Sequence, residues 1–145
     1  DNLSRITEPG APESSKRFTA IKELSAKGIY TGIMLMPVLP FITDQEENIS
    51  EIVRKAKEAG AKYIVAAMGM TNRAGQREYY YNKLDRNFPG IKQKYIDRFG
   101  NDYNCPPANY KELYGLFKKL CKENNIPMQM KFYQQKQAEQ LKLFQ

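Results

Sequence analysis

The sequence predicts an α/β fold in which parallel strands alternate with helices, and three observations carry that expectation. The stretch 28–44, GIYTGIMLMPVLPFITD, opens as a nearly unbroken apolar run of strand length, the pattern of a strand covered on both faces. A second such run, AKYIVAAMGM, occupies 61–70. Between and before them lie segments with apolar residues at helical spacing. Strand, helix and strand joined by short links imply parallel pairing through a right-handed crossover.

The chain opens on a polar stretch, DNLSRITEPGAPESSKRF, with two prolines and a glycine. A helix is expected from Glu13 or Ser14, with Phe18, Ala20, Ile21 and Leu24 on its apolar side and Gly28 as its stop. The first strand then covers 29–36. Pro37-Val38-Leu39-Pro40 should end it, because a proline has no backbone donor and a fixed φ. Thr43 and Asp44 are candidate caps for the next helix, and Glu46 and Glu47 in its first turn suit the helix dipole. Ile49, Ile52, Val53 and Ala56 repeat at helical spacing before Gly60 closes that helix.

After the second strand the alternation stops. Helices are expected at 76–87, carrying Tyr79, Tyr80 and Tyr81, at 91–99, and at 110–124. A turn-rich loop covers 101–109, and 126–130 is a candidate short strand. The organisation is thus an α/β portion at 1–130, with extra helices toward its carboxyl end, and a polar tail at 131–145. Two parallel strands lack the neighbours and cover that such strands need. The chain is therefore expected to be the carboxyl-terminal portion of a larger barrel-like protein, or a small chain that completes its sheet with a second copy.

Composition narrows the chemistry. The 145 residues carry 23 Lys and Arg against 16 Asp and Glu, a net charge of +7, which favours polyanionic partners such as nucleic acid. There is no histidine, which removes Ser–His and Cys–His nucleophile systems and histidine-bound metals from this segment. The two cysteines, Cys105 and Cys121, are too few for a disulfide framework, and by themselves supply neither a zinc nor an iron–sulfur site. No apolar run reaches the roughly 20 residues needed to span a bilayer, and nothing reads as a signal peptide, so a cytoplasmic location without membrane contact is expected.

The ordered set Glu8-Pro9, Pro12, Arg17, Gly28-Ile29, Pro37-x-x-Pro40, Asp44 and Ala59-Gly60-Ala61 resembles the spore photoproduct lyase-like branch of the radical S-adenosylmethionine enzymes, a group often labelled DNA repair photolyases. The resemblance covers roughly residues 1–100. It implies a partial (β/α) barrel that holds S-adenosylmethionine and a four-iron–four-sulfur cluster. The family binds the cluster through CxxxCxxC, which this sequence lacks, so the segment alone is expected to retain no cofactor and to be inactive without the rest of its parent protein. By position, the resemblance places Glu8 and Arg17 at the polar end of S-adenosylmethionine, and Pro37, Val38, Leu39 and Pro40 against its adenine, with Asp44 beside them. Each has a plainer reading: an ion pair, a rigid strand-to-helix turn and a helix cap.

Met68, Met70, Asn72 and Arg73 follow the second strand toward the same rim, where they either face substrate or serve packing and solvation. The three consecutive tyrosines cannot share one helix face, since successive residues lie about 100° apart, so at least one is expected to be exposed.

The tail contains Gln140, Leu141, Leu143 and Phe144 in the order QLKLF, similar to the peptide by which bacterial repair and replication proteins dock on the sliding clamp. Two leucines and a phenylalanine suit a hydrophobic groove, and the glutamine can fix register. Packing of Leu141 and Phe144 on the chain's own core is the other reading. Two functions therefore stand side by side. One is part of a radical S-adenosylmethionine enzyme acting on nucleic acid; the other is a non-catalytic basic α/β interaction module tethered to the clamp. A phosphate-sugar barrel enzyme is disfavoured, because no glycine-rich phosphate loop is present. Self-association through an unpaired strand edge is expected of the isolated segment.

Overall fold

A computed structural model describes residues 1–132. The helices are α1 (Asn2–Thr7), α2 (Ser14–Ala26), α3 (Glu46–Glu58), α4 (Gln76–Asn87), α5 (Ile91–Phe99) and α6 (Tyr110–Glu123); the strands are β1 (Ile33–Val38), β2 (Ile64–Met68), β3 (Met70–Thr71) and β4 (Asn104–Cys105). β1 and β2 pair in parallel, Ile33 beside Ile64 and Leu35 beside Ala66. β3 and β4 form a short antiparallel pair. The mixed α/β class is as expected; among the described residues the parallel sheet has two strands and closes into no barrel.

The first core lies under one face of β1–β2. α3 turns Ile49, Val53 and Ala56 inward, and α6 turns Leu113, Phe117 and Cys121 inward, both at helical spacing. These pack with Ile64, Val38 and Ile126, while Ile33, Leu35 and Ala66 sit against them from the sheet. α2 lies at the margin, with Phe18 and Ile21 only partly buried and Leu24 exposed. Its last turn is tied in by Ser25 Oγ, which donates to the Gly60 carbonyl at 2.9 Å.

The other face of the sheet departs from the sequence expectation. Side chains alternate along a strand, so Met34 and Met36 point away from the helices and remain 57% and 42% exposed. Ala67 on β2 is exposed as well. The run is apolar on both sides, yet the described residues supply a helical layer for only one.

The second core is aromatic. Ile42, Tyr81, Leu84, Tyr95, Phe99 and Cys105 are its buried members, with Leu3 of α1 and Phe41 packed against them. Tyr95 is at its centre and fully buried; its hydroxyl donates to the Pro40 carbonyl at 3.0 Å and accepts from Tyr80 at 3.1 Å. Burial raises the Tyr95 phenol far above its ordinary range, so it remains a protonated donor.

Several local expectations are corrected. β1 starts four residues later than expected and runs through Pro37; the ladder shifts between Leu35 and Val38, which accommodates the missing donor. Thr43 and Asp44 do not cap α3, whose N-cap is Gln45. Instead Thr43 Oγ1 accepts from the Leu39 amide at 2.7 Å and closes the turn after the prolines. Residues 126–130 form no strand, although the Ile64 amide donates to the Pro127 carbonyl at 2.9 Å. The opening polar stretch contains α1, and the 101–109 loop contains β4.

Replacing Tyr95 by Phe leaves the Pro40 carbonyl without its buried donor. The expected loss is about 1–3 kcal/mol of unfolding free energy, the usual cost of a buried polar group left unpaired. Urea unfolding measures it; an unchanged midpoint would show that the corner does not lean on this bond.

Candidate functional site

A groove of about 550 Å³ opens at the carboxyl ends of β1 and β2. In α/β sheets this end gathers ligand sites, because the loops leaving parallel strands converge there. Met36, Pro37 and Ala67 form one wall and the strand-leaving turn Met68-Gly69-Met70 its floor. The opposite wall comes from Asn104, Cys105 and Pro106, brought in by the β3–β4 pairing.

Gly69 is what permits this closeness. Its φ is +123°, and a Cβ there would lie 2.8 Å from the Cys105 carbonyl oxygen and 3.0 Å from the Pro106 Cα. Both neighbours are backbone and cannot turn aside. Arg77 of α4 then holds the second wall in place. Its guanidinium donates to the Asn101 side chain and carbonyl, each at 2.8 Å, and to the Asn72 carbonyl at 3.0 Å. Next to the wall residues in sequence, Arg73 bonds Tyr103 and lowers its phenol below the ordinary tyrosine range. The groove therefore offers apolar walls with the polar side chains of Thr71 and Asn104 among them, an arrangement suited to a flat apolar body with a polar end.

The residues singled out from sequence divide between this groove and the packing around it. Pro37, Met68 and Met70 line it. Val38 and Pro40 are fully buried, and Leu39 packs into the aromatic core, so the middle of the proline corner supports the groove from behind. Asp44 is half-buried and lies off the groove lining. Glu8 and Arg17 pair with each other at 2.6 Å on the surface, and Arg17 Nε also donates to the Pro12 carbonyl at 2.7 Å. They sit near the start of α2 and are absent from the groove lining.

Asn72 is buried, its amide donating to the Tyr103 carbonyl at 2.8 Å, while Arg73 is exposed. The three tyrosines fan out as their spacing requires: Tyr81 buried, Tyr80 half-buried, Tyr79 exposed beneath the Lys83 ammonium. Gln140, Leu141, Leu143 and Phe144 lie outside the described residues. Sequence reasoning missed the 104–106 wall and Gly69. The signal was there in a glycine set between two methionines and in the adjacent prolines of NCPP.

The described residues contain no group of three His, Cys, Asp or Glu able to hold a metal ion. Cys105 and Cys121 are buried in separate cores, where burial raises both thiols, Cys121 to about 11. They do not form a cluster ligand set. No described helix is long and apolar enough to cross a membrane.

No family model matches the chain, and no solved structure matches it. It is similar to uncharacterized proteins of Mycobacterium bovis and of two Mycobacterium tuberculosis strains, each 29% identical over 111 residues. The alignment covers 77% of this chain and 32% of each relative. The chain thus spans about a third of the length of the curated relatives it matches.

Gly69→Ala should lower stability by about 1–3 kcal/mol and loosen the β3–β4 pair, since it adds a backbone clash to an unfavourable φ. Gly10→Ala shares a positive φ, +88°, but meets nothing within 4 Å, so it serves as the comparison. Urea melts and backbone amide exchange at Asn72 and Cys105 read the difference; equal effects at the two glycines would mean that the close approach does not matter.

Proposed function

We propose that this chain is the carboxyl-terminal part of a radical S-adenosylmethionine enzyme of the photoproduct-lyase-like group, acting on nucleic acid, and that its groove is one wall of the S-adenosylmethionine pocket. The observation that carries the reading is the open groove at the carboxyl ends of β1 and β2, continuous at Met36 with an uncovered apolar sheet face. That combination suits an interior surface of a larger barrel. The ordered motifs from Glu8 to Ala61 and the greater length of the mycobacterial relatives support it.

Within this reading the chain's own residues bind and position. Met36, Pro37 and Met68 give an apolar surface suited to a flat base, and Thr71 adds a hydrogen-bonding hydroxyl. Val38 and Pro40 hold that surface rigid from behind. Glu8 and Arg17 neutralise each other on the surface, outside the groove lining, and would have to exchange partners to hold the amino-acid end of S-adenosylmethionine. The iron–sulfur cluster, which supplies the radical chemistry when bound, finds no ligands among the described residues; its cysteines would belong to the rest of the polypeptide.

The isolated chain should self-associate through the edge of β1 that has no strand partner among the described residues, which light scattering would read as a doubled mass and a monomeric mass would refute. The QLKLF peptide favours one addition, docking of the parent enzyme on the sliding clamp. Deletion of residues 140–145 should abolish clamp binding, and binding unchanged by the deletion would remove that partner.

The test of the enzyme reading is expression of the complete polypeptide under anaerobic reconstitution with iron and sulfide. The expected result is broad absorbance near 400 nm, typical of thiolate-bound iron–sulfur clusters. A complete polypeptide without a CxxxCxxC sequence, or one that remains colourless, would overturn it.

A further inference from the structure

We propose that the opposite end of the sheet carries a second site, a lysine-lined pocket that holds single-stranded nucleic acid. The pocket lies at the amino ends of β1 and β2, has a volume of about 380 Å³, and is lined by Tyr30, Lys57, Lys62, Asn125, Pro127 and Lys131 among others. Every charged residue in its lining is a lysine. Lysines at helix carboxyl ends commonly complement the helix dipole, and Lys57, in the last turn of α3, also serves the end of α6 by donating to the carbonyl of its C-cap Asn124 at 3.0 Å. That explanation does not extend to Lys62, in the link between α3 and β2, or to Lys131, beyond α6. Both are exposed, and neither is paired with a carboxylate among the described residues.

Tyr30 selects the kind of polyanion. The residue is 45% exposed on the pocket wall, its ring leans on Tyr63 at 5.3 Å between centroids, and it is pinned where its hydroxyl accepts from the Lys131 backbone amide at 3.0 Å. A fixed, half-exposed ring beside several ammonium groups is the pairing that binds single strands, with bases stacked on the aromatic and phosphates on the cations. The net charge of +7 draws such a partner from a distance. This proposal stands apart from the reading of the groove, which lies at the other end of the strands.

The test is fluorescence anisotropy of the 145-residue chain with a short labelled oligodeoxythymidine over a range of salt, with heparin as a polyanion that has charge but no bases. Reversing Lys62 and Lys131 together to Glu should weaken oligonucleotide binding at least tenfold and flatten the log Kd against log salt slope by about 1.4, or about 0.7 for each lost phosphate contact. Tyr30→Leu should weaken the oligonucleotide about tenfold, within the range for one lost stacking contact, and leave heparin unchanged. Lys131→Ala, on an exposed coil, gives a smaller loss in the same direction and guards against misfolding of the double variant. Unchanged affinity and slope in the lysine variants, no binding by the parent chain at low salt, or equal losses for heparin and oligonucleotide in Tyr30→Leu would each overturn the proposal.

Discussion

The structure depends on the parallel pairing of β1 with β2, because that pairing sorts every other element. Ile33, Leu35, Ile64 and Ala66 turn to one side and draw α3 and α6 onto it, with α2 at the margin. Ile64, fully buried on that side, contributes about 1.5–3 kcal/mol relative to exposure, and the partly buried Ile33, Leu35 and Ala66 contribute less. Met34 and Met36, on the other side, leave apolar surface in water. The same pairing brings the loops after both strands to one end, so the groove and the uncovered face have one origin.

The corner after β1 converts this asymmetry into a shaped site. Pro37 remains at the groove, while Val38 enters the first core, and Leu39 and Phe41 enter the aromatic one. Tyr95 links the corner to α5 through the Pro40 carbonyl, and Arg77 links the facing wall to α4 through the 101–102 backbone. Both links are hydrogen bonds to carbonyls, which no helix or sheet ladder uses. Two helices that lie outside the α/β alternation thereby become the struts of the groove.

Much of this was legible in the sequence where one periodicity acted alone. The buried stripes of α3 and α6, the spans of α4 and α5, the glycine stops, and the exposure of one tyrosine in three all follow from spacing. Legibility failed where a tertiary partner decided the outcome. β1 continues through Pro37 because the ladder absorbs a shift there, and Thr43 serves the Leu39 turn in place of α3. The 126–130 segment gives one hydrogen bond to β2 without becoming a strand. In the candidate site, Pro37 and the two methionines were readable from their place at a strand end. The 104–106 wall left only a local trace, the adjacent prolines of NCPP, since a two-residue antiparallel pair has no period to detect.

The central claim is that the face bearing Met34 and Met36 is an interior surface of a longer polypeptide. Peroxide footprinting of these two methionines tests it most directly, comparing the isolated chain, diluted to a monomer, with the complete protein. The account expects oxidation near the rate of free methionine in the isolated chain, and strong protection of both residues in the complete protein. Equal and rapid oxidation in both would contradict it, because the face would then be open whatever else the polypeptide contains.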